Sequence, residues 1–162
     1  MVAGEGPLPA LGFVLGEAPG RIETERGRPF AGPAGALLDQ ALRLLEMPRE
    51  MLYVTNVVKT WPRDELGATR RPTQDEIEIW RPLLNTELEA CSPAAILLLG
   101  RVAAESWGYT PELVEHHIYA AWHPAFLLRS QRDGDGESMW QKWLFQLSPF
   151  VHEVRAAEAL QA

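Results

Sequence analysis

Two periods alternate in the apolar pattern of this chain. Leu11-Gly12-Phe13-Val14-Leu15 is a short unbroken apolar run closed by Gly16, the signature of a parallel strand buried on both faces. Leu37, Leu38, Ala41, Leu42 and Leu45 then recur at helical spacing within 36–45, and Met47-Pro48 stops them. The β-branched stretch Tyr53 to Val58 predicts a second strand. Pro72 to Glu76 reads as a helix start, with Thr73 as N-cap and Glu76 at the capping-box position. The apolar stripe Ile77, Trp80, Leu83, Leu84, Leu88 follows and ends near Cys91. Ala95 to Leu99 is a wholly apolar third strand, and Gly100 opens a helix over 101–107. Ile118 to Trp122 is a fourth strand, and an amphipathic helix over 140–154 closes the chain. Asp133-Gly134-Asp135-Gly136 predicts a turn between them.

Strand and helix patterns in this order predict an α/β fold with a parallel sheet, whose strands all deliver their following loops to one edge. Open sheets of this kind bind ligands there. The first such loop, Gly16 to Gly35, is dense in Gly and Pro. It lacks a Gly-Lys-Ser/Thr ending and the Gly-x-Gly-x-x-Gly fingerprint, so it is not a phosphate cradle. The second, Lys59 to Pro72, is long and basic; the fourth begins His123-Pro124. Glu17, Phe30, Asn56 and His123 are thereby brought to one edge. Together they supply an acceptor or base, a stacking face, an amide with adjacent donor and acceptor, and a further donor, a set suited to a planar heterocycle.

Composition narrows the classes. A chain of 162 residues with 46% hydrophobic content predicts one domain over 1–162 with a sizeable core. The single Cys91 makes no internal disulfide and the four His are scattered, so no zinc centre is expected; a reducing, cytoplasmic setting fits. Met1 to Ala10 lacks the character of a signal peptide, and no apolar run is long enough to span a membrane, so a soluble protein, taken as a monomer, is expected. A net charge of -7 argues mildly against nucleic acid, yet 13 of the 15 basic residues are Arg, which grips phosphate bidentately. Arg21, Arg26, Arg28, Lys59, Arg63, Arg70, Arg71, Arg129 and Arg132 are all expected in loops, a basic rim on an acidic body.

Four blocks carry a resemblance: Gly16-Glu17-Ala18-Pro19-Gly20; Gly27-x-Pro29-Phe30-x-Gly32-x-Ala34-Gly35-x-Leu37-Leu38; Thr55-Asn56-Val57-Val58-Lys59; and His123-Pro124-x-x-Leu127-Leu128-Arg129. In type and order they resemble the motifs of the uracil-DNA glycosylase superfamily, closest to its family 4. The resemblance implies a three-layer α/β/α sandwich around a central four-stranded, mainly parallel sheet, and hydrolysis of the bond between uracil and deoxyribose in single- or double-stranded DNA. It implies Glu17 and His123 as catalytic residues, with His123 and the backbone N–H groups of Gly16 to Ala18 stabilising the departing base. Phe30 would stack on uracil, Asn56 would read its edge, and Glu23 would exclude thymine's methyl. Leu127 and Leu128 would wedge into the base stack, and Lys59, Arg63, Arg70, Arg71 and Arg129 would face DNA. A relative excising hypoxanthine or xanthine, or a non-catalytic damaged-DNA binding module, stays open beside this reading.

The chain departs from family 4 in its cysteines. That family's iron–sulfur cluster takes a pair before the first strand, one just after the Asn-x-x-Lys motif and one in the next helix. Here Thr60 and Trp80 stand at the latter two positions. No cluster and no other metal or cofactor is expected, with Trp61 and Trp80 filling the space. Trp61 to Leu66 also departs from the family's Arg-Pro-Pro-x-Asn-Arg, with Glu65 in place of a second Asn. No His occurs between Lys59 and Pro72, so turnover rather than a covalent adduct is expected.

Overall fold

The computed structural model describes residues 1–107, 117–131, 134 and 136–162. Its elements run β1 (Gly12–Gly16), α1 (Arg21–Arg26), α2 (Pro33–Leu44), β2 (Leu52–Asn56), α3 (Gln74–Cys91), β3 (Ala95–Leu99), α4 (Arg101–Ser106), β4 (His117–Ala121), α5 (Pro124–Ser130) and α6 (Gly136–Gln161), with a 3-10 turn at Arg49–Met51 before β2. The four strands form one sheet in the order β2-β1-β3-β4, and every ladder is parallel. Strand order reverses between β1 and β3, so a crevice opens at the carboxyl end of β1.

Period-2 alternation divides the core into two layers. Val14, Val54, Leu97 and Leu99 face α2, α5 and α6, whereas Phe13, Leu15, Tyr53, Ile96 and Leu98 face α3 and α4. The architecture is thus the expected α/β/α sandwich. Thr73 caps α3 as its sequence indicates, its Oγ1 accepting the Glu76 N–H at 3.2 Å while Glu76 accepts the Thr73 N–H at 2.8 Å.

The expected elements differ from the observed ones at their ends, and two helices arise inside stretches read as loop. α1 forms within the Gly-rich stretch and ends at Gly27, whose φ of 68° only glycine adopts cheaply. α5 begins at Pro124, directly after its N-cap His123, and places Arg129 on a helix rather than in a loop, as α1 does Arg21 and Arg26. α6 is longer at both ends than 140–154 and starts at Gly136. Arg132, Asp133 and Asp135 lie outside the described residues. Residues 60–72 make a compact hairpin, with a bridge between Arg63 and Thr69 and the Asp64 carboxylate accepting the N–H groups of Leu66 and Ala68.

Candidate active site

Gly16 ends β1 and hands the chain to Glu17. The turn is pinned from the end of β2, Val57 N–H donating to the Gly16 carbonyl at 2.9 Å and Val58 N–H to that of Glu17 at 3.2 Å. A Cβ on residue 16 would stand 2.4 Å from Phe30 Cζ and 2.5 Å from Asn56 Oδ1, so glycine is what lets strand end, ring and amide converge.

Phe30 is buried with φ at 51°, the left-handed region that bulky residues rarely occupy. Its ring centroid lies 5.8 Å from that of His123, with 29° between the planes. Glu23 ties the same loop at two points: Oε2 accepts the Gly20 N–H at 3.1 Å and Oε1 the Gly32 N–H at 2.7 Å. Those two glycines precede α1 and α2, so one carboxylate satisfies an otherwise orphaned donor at the start of each helix.

Ala18, Glu23, Phe30, Asn56 and His123 enclose a small cavity of about 190 Å³. Beside it runs a wider groove of about 580 Å³ that carries Glu17, Arg71, Arg101, Trp122, Phe126 and Arg129, and His123 lines both spaces. A larger cavity of about 690 Å³ lies behind Phe30, its mouth set with exposed charged side chains. The smaller space is the better candidate because buried polar and aromatic groups converge on it.

His123 Nδ1 accepts the Ala125 N–H at 3.2 Å and so caps α5. A neutral ring then carries its proton on Nε2, which is left as a donor. Burial, aided by the nearby Arg129 and opposed by Glu23, pulls its pKa down to about 4, keeping the ring neutral near pH 7. Burial pushes the Glu17 carboxyl up from 4.5, with Arg71 and Arg129 acting in the opposite sense. The arrangement therefore sets a neutral donor at the junction of cavity and groove, with a carboxylate in the groove alongside.

Several expected DNA contacts lie elsewhere. Lys59 is fully buried: its Nζ donates to Thr55 Oγ1 (2.6 Å), the Asn56 carbonyl (2.7 Å) and Glu87 Oε2 (2.5 Å). It props the end of β2 from within and cannot meet a phosphate. Leu127 is 1% exposed, in the core beneath α2 and α6, and Leu128 packs partly buried against the same cluster. The exposed residue of this turn is Phe126, whose ring meets Trp122 edge-on at 5.5 Å. Arg70 is committed to both oxygens of Glu76 at 2.8 and 2.9 Å and to the Arg63 and Arg71 carbonyls. Arg63 is exposed, its guanidinium 4.8 Å from the centre of the Trp61 ring, and Arg71 and Arg129 are exposed at the groove. Glu65 sits exposed in the 60–72 hairpin, away from the small cavity.

Residues that sequence reasoning missed are Arg49, Glu87 and Arg101. Arg49 grips the loop carbonyls of Pro29 and Phe30, and Glu87 gathers Gly4 N–H, Tyr53, Thr55 and Lys59 onto one buried carboxylate. Arg101 follows Gly100 into the groove. No local signal marks the first two, since their partners are remote in sequence.

The donor set does not fit a four-thiolate iron–sulfur cluster. The chain has one cysteine, and Cys91 is buried, its thiol donating to the Ala10 carbonyl at 3.3 Å. Among the described residues no group of three or more His, Cys, Asp or Glu is placed to hold a metal ion. Thr60 is exposed, Trp80 packs against the α3/α4 side of the core, and Trp61 Nε1 donates to Thr69 Oγ1 at 2.9 Å. No helix among the described residues is long and apolar enough to cross a membrane.

Comparison with known proteins agrees with the layout. Residues 3–147 match the Uracil DNA glycosylase superfamily. The Type-4 uracil-DNA glycosylase of Pyrobaculum aerophilum is 39% identical over 105 residues, covering 65% of this chain and 52% of that protein. That of Archaeoglobus fulgidus is 42% identical over 104 residues, 64% of this chain and 50% of the relative. That of Thermotoga maritima is 32% identical over 144 residues, 81% of this chain and 73% of the relative. The aligned parts span about half the length of the first two relatives and most of the third. With its parallel sheet, its Gly16–Gly35 loop and a match running over residues 3–147, this chain belongs to the uracil-DNA glycosylase superfamily, beside its type-4 members.

Proposed function

We propose that the protein excises uracil from DNA by hydrolysing its N-glycosidic bond, leaving an abasic site. The observation that carries this reading is that His123 lines both the small cavity and the groove holding Glu17. A base in the cavity and its sugar-phosphate in the groove would put the glycosidic bond at that junction.

Breaking the bond leaves negative charge on the base and positive charge on the sugar. The neutral Nε2–H of His123, with backbone N–H groups of the Gly16 to Ala18 turn, stabilises the first on uracil O2. It need not transfer a proton, which its low pKa suits. Glu17 ionised stabilises the second and orients the attacking water. Phe30 floors the base, Asn56 reads O4 and N3, and the Glu23 carboxylate, held by Gly20 and Gly32, stands where thymine carries its methyl. Arg71 and Arg129 take phosphates flanking the flipped nucleotide, together with exposed Arg63, whereas Lys59, Arg70 and Leu127 serve the fold. The chain acts as one domain and as a monomer. It acts without an iron–sulfur cluster, and iron in stoichiometric amount in the purified protein would refute that part.

The test is incubation with end-labelled single- and double-stranded uracil oligonucleotides, followed by alkali. Strand breaks at uracil are expected from wild type, with no denaturation-resistant protein–DNA adduct. Absence of breaks in both uracil oligonucleotides would refute uracil excision, and breaks only in matched oligonucleotides carrying hypoxanthine or xanthine in place of uracil would move the activity to those bases.

A further inference from the structure

Phe30 holds a backbone conformation that its own side chain disfavours, and something remote must hold it there. Two neighbours do. Helix α2 presents Gly35, whose place would put a Cβ 1.7 Å from the Phe30 carbonyl oxygen, so the helix backbone lies directly against that carbonyl. From the other side Arg49 Nη1 donates to the same carbonyl at 2.9 Å and Nη2 to the Pro29 carbonyl. The guanidinium is itself anchored by Asp39 of α2 at 3.3 Å, and the Arg49 side chain is only 13% exposed.

We infer that Arg49 is a positioning residue for uracil recognition, setting the plane of the Phe30 ring by clamping the two carbonyls before it and at it, with Asp39 fixing the clamp. The inference rests on the excision reading for its kinetic consequence but not for its geometry. A planar guanidinium suits the task because its two Nη groups reach adjacent carbonyls at once, fixing the peptide between them, whereas an ammonium holds one point. Once released, residue 30 relaxes toward an ordinary backbone conformation and carries its ring out of parallel with a base in the cavity. Small misplacements of this kind cost rate far beyond their cost in stability.

The experiment combines kinetics with a spectroscopic readout that needs no activity. In single-turnover excision from a single-stranded uracil oligonucleotide, Arg49→Ala is expected to slow the rate by about tenfold or more. Arg49→Lys, keeping one contact, should fall between. If Arg49 acts through Phe30, the double variant Arg49→Ala/Phe30→Ala will be no slower than Phe30→Ala alone. In protein carrying 4-fluorophenylalanine at position 30, the ¹⁹F resonance is expected to shift in Arg49→Ala. It should stay put in Arg43→Ala, an exposed residue that lines the larger cavity behind Phe30 together with Arg49 but makes no hydrogen bond to the loop carbonyls. Wild-type rate in folded Arg49→Ala, multiplying effects in the double variant, or an unmoved ¹⁹F line would each overturn the inference. Should Arg49→Ala not fold, Arg49→Lys and Asp39→Asn carry the same readouts. If wild type does not excise uracil, the excision reading fails, while the ¹⁹F shift still decides the clamp.

Discussion

Replacing His123 by Asn separates two tasks that the imidazole performs. Its Nδ1 caps α5 by accepting the Ala125 N–H, and its Nε2–H is the donor proposed for uracil O2. Asn is among the best N-cap residues, so its Oδ1 takes over the first task and leaves the second undone. Ala does neither, and a lost cap costs about 1 kcal/mol, or about 2–4 °C of Tm for a chain of this size. Losing one donor aimed at developing negative charge costs about 10²–10³ in kcat. His123→Asn and His123→Ala should therefore be equally slow, while only the Ala variant melts early. The imidazole also shapes acid stability. The unfolded ring takes up a proton below about 6.5 and the folded one not until about 4, so its contribution is fully present above 6.5 and lost as pH falls toward 4. The loss amounts to up to about 3 kcal/mol. His123→Asn has no such group and should lose less stability across that window. Single-turnover excision followed by alkali, and calorimetric Tm at pH 7 and pH 5, measure both sides. A His123→Asn enzyme as fast as wild type would refute the donor assignment; equal melting of the Asn and Ala variants would refute the cap.

Three further outcomes follow from the same geometry. The acid limb of the excision pH profile should belong to Glu17, whose carboxyl pKa is raised by burial above the ordinary 4.5; activity falls as pH drops through this raised pKa, and Glu17→Gln should be slow with no such limb, which a pH series of single turnovers checks. Lys59→Met leaves the Glu87 carboxylate buried without its cation and should cost about 3–5 kcal/mol, or about 10 °C of Tm. It should leave the salt dependence of DNA association unchanged, because Lys59 reaches no phosphate; a flatter slope of log Kd against log salt would contradict this. Gly16→Ala places a methyl 2.4 Å from Phe30 Cζ and should lower stability by about 1–3 kcal/mol while closing the cavity to uracil. Denaturant melts and inhibition by free uracil measure the two effects, and wild-type inhibition would refute the packing argument.

What the sequence revealed follows the range of the interactions involved. β3 is legible because Ala95 to Leu99 is buried on both faces and so reads as an unbroken apolar run. The Thr73 cap is legible because donor and acceptor are three residues apart. α1 was hidden because its composition is that of a loop and its first turn is held by Glu23 reaching across to Gly20 and Gly32. Lys59 misled for the opposite reason: a cation at a ligand-binding sheet edge reads as surface until α3 brings Glu87 over it. Leu127, expected at the DNA, is buried instead because α5 turns it against α2 and α6 and leaves Phe126 exposed, a rotation that tertiary packing alone decides. The gathering of Glu17, Phe30, Asn56 and His123 at one edge was legible because parallel topology sends each strand's following loop there, whereas Glu23 entered only through the resemblance to the family.

The twofold grip of Glu23 bears on how such a pocket can change over generations. The carboxylate proposed to turn thymine away is also the tie that seats the first turns of α1 and α2. A mutation there does not trade one base for another; it unfastens the loop that presents Phe30. A lineage seeking a wider substrate range would first have to acquire another acceptor for Gly20 and Gly32, so drift in selectivity at this position is penalised as a folding defect before any altered chemistry is exposed to selection.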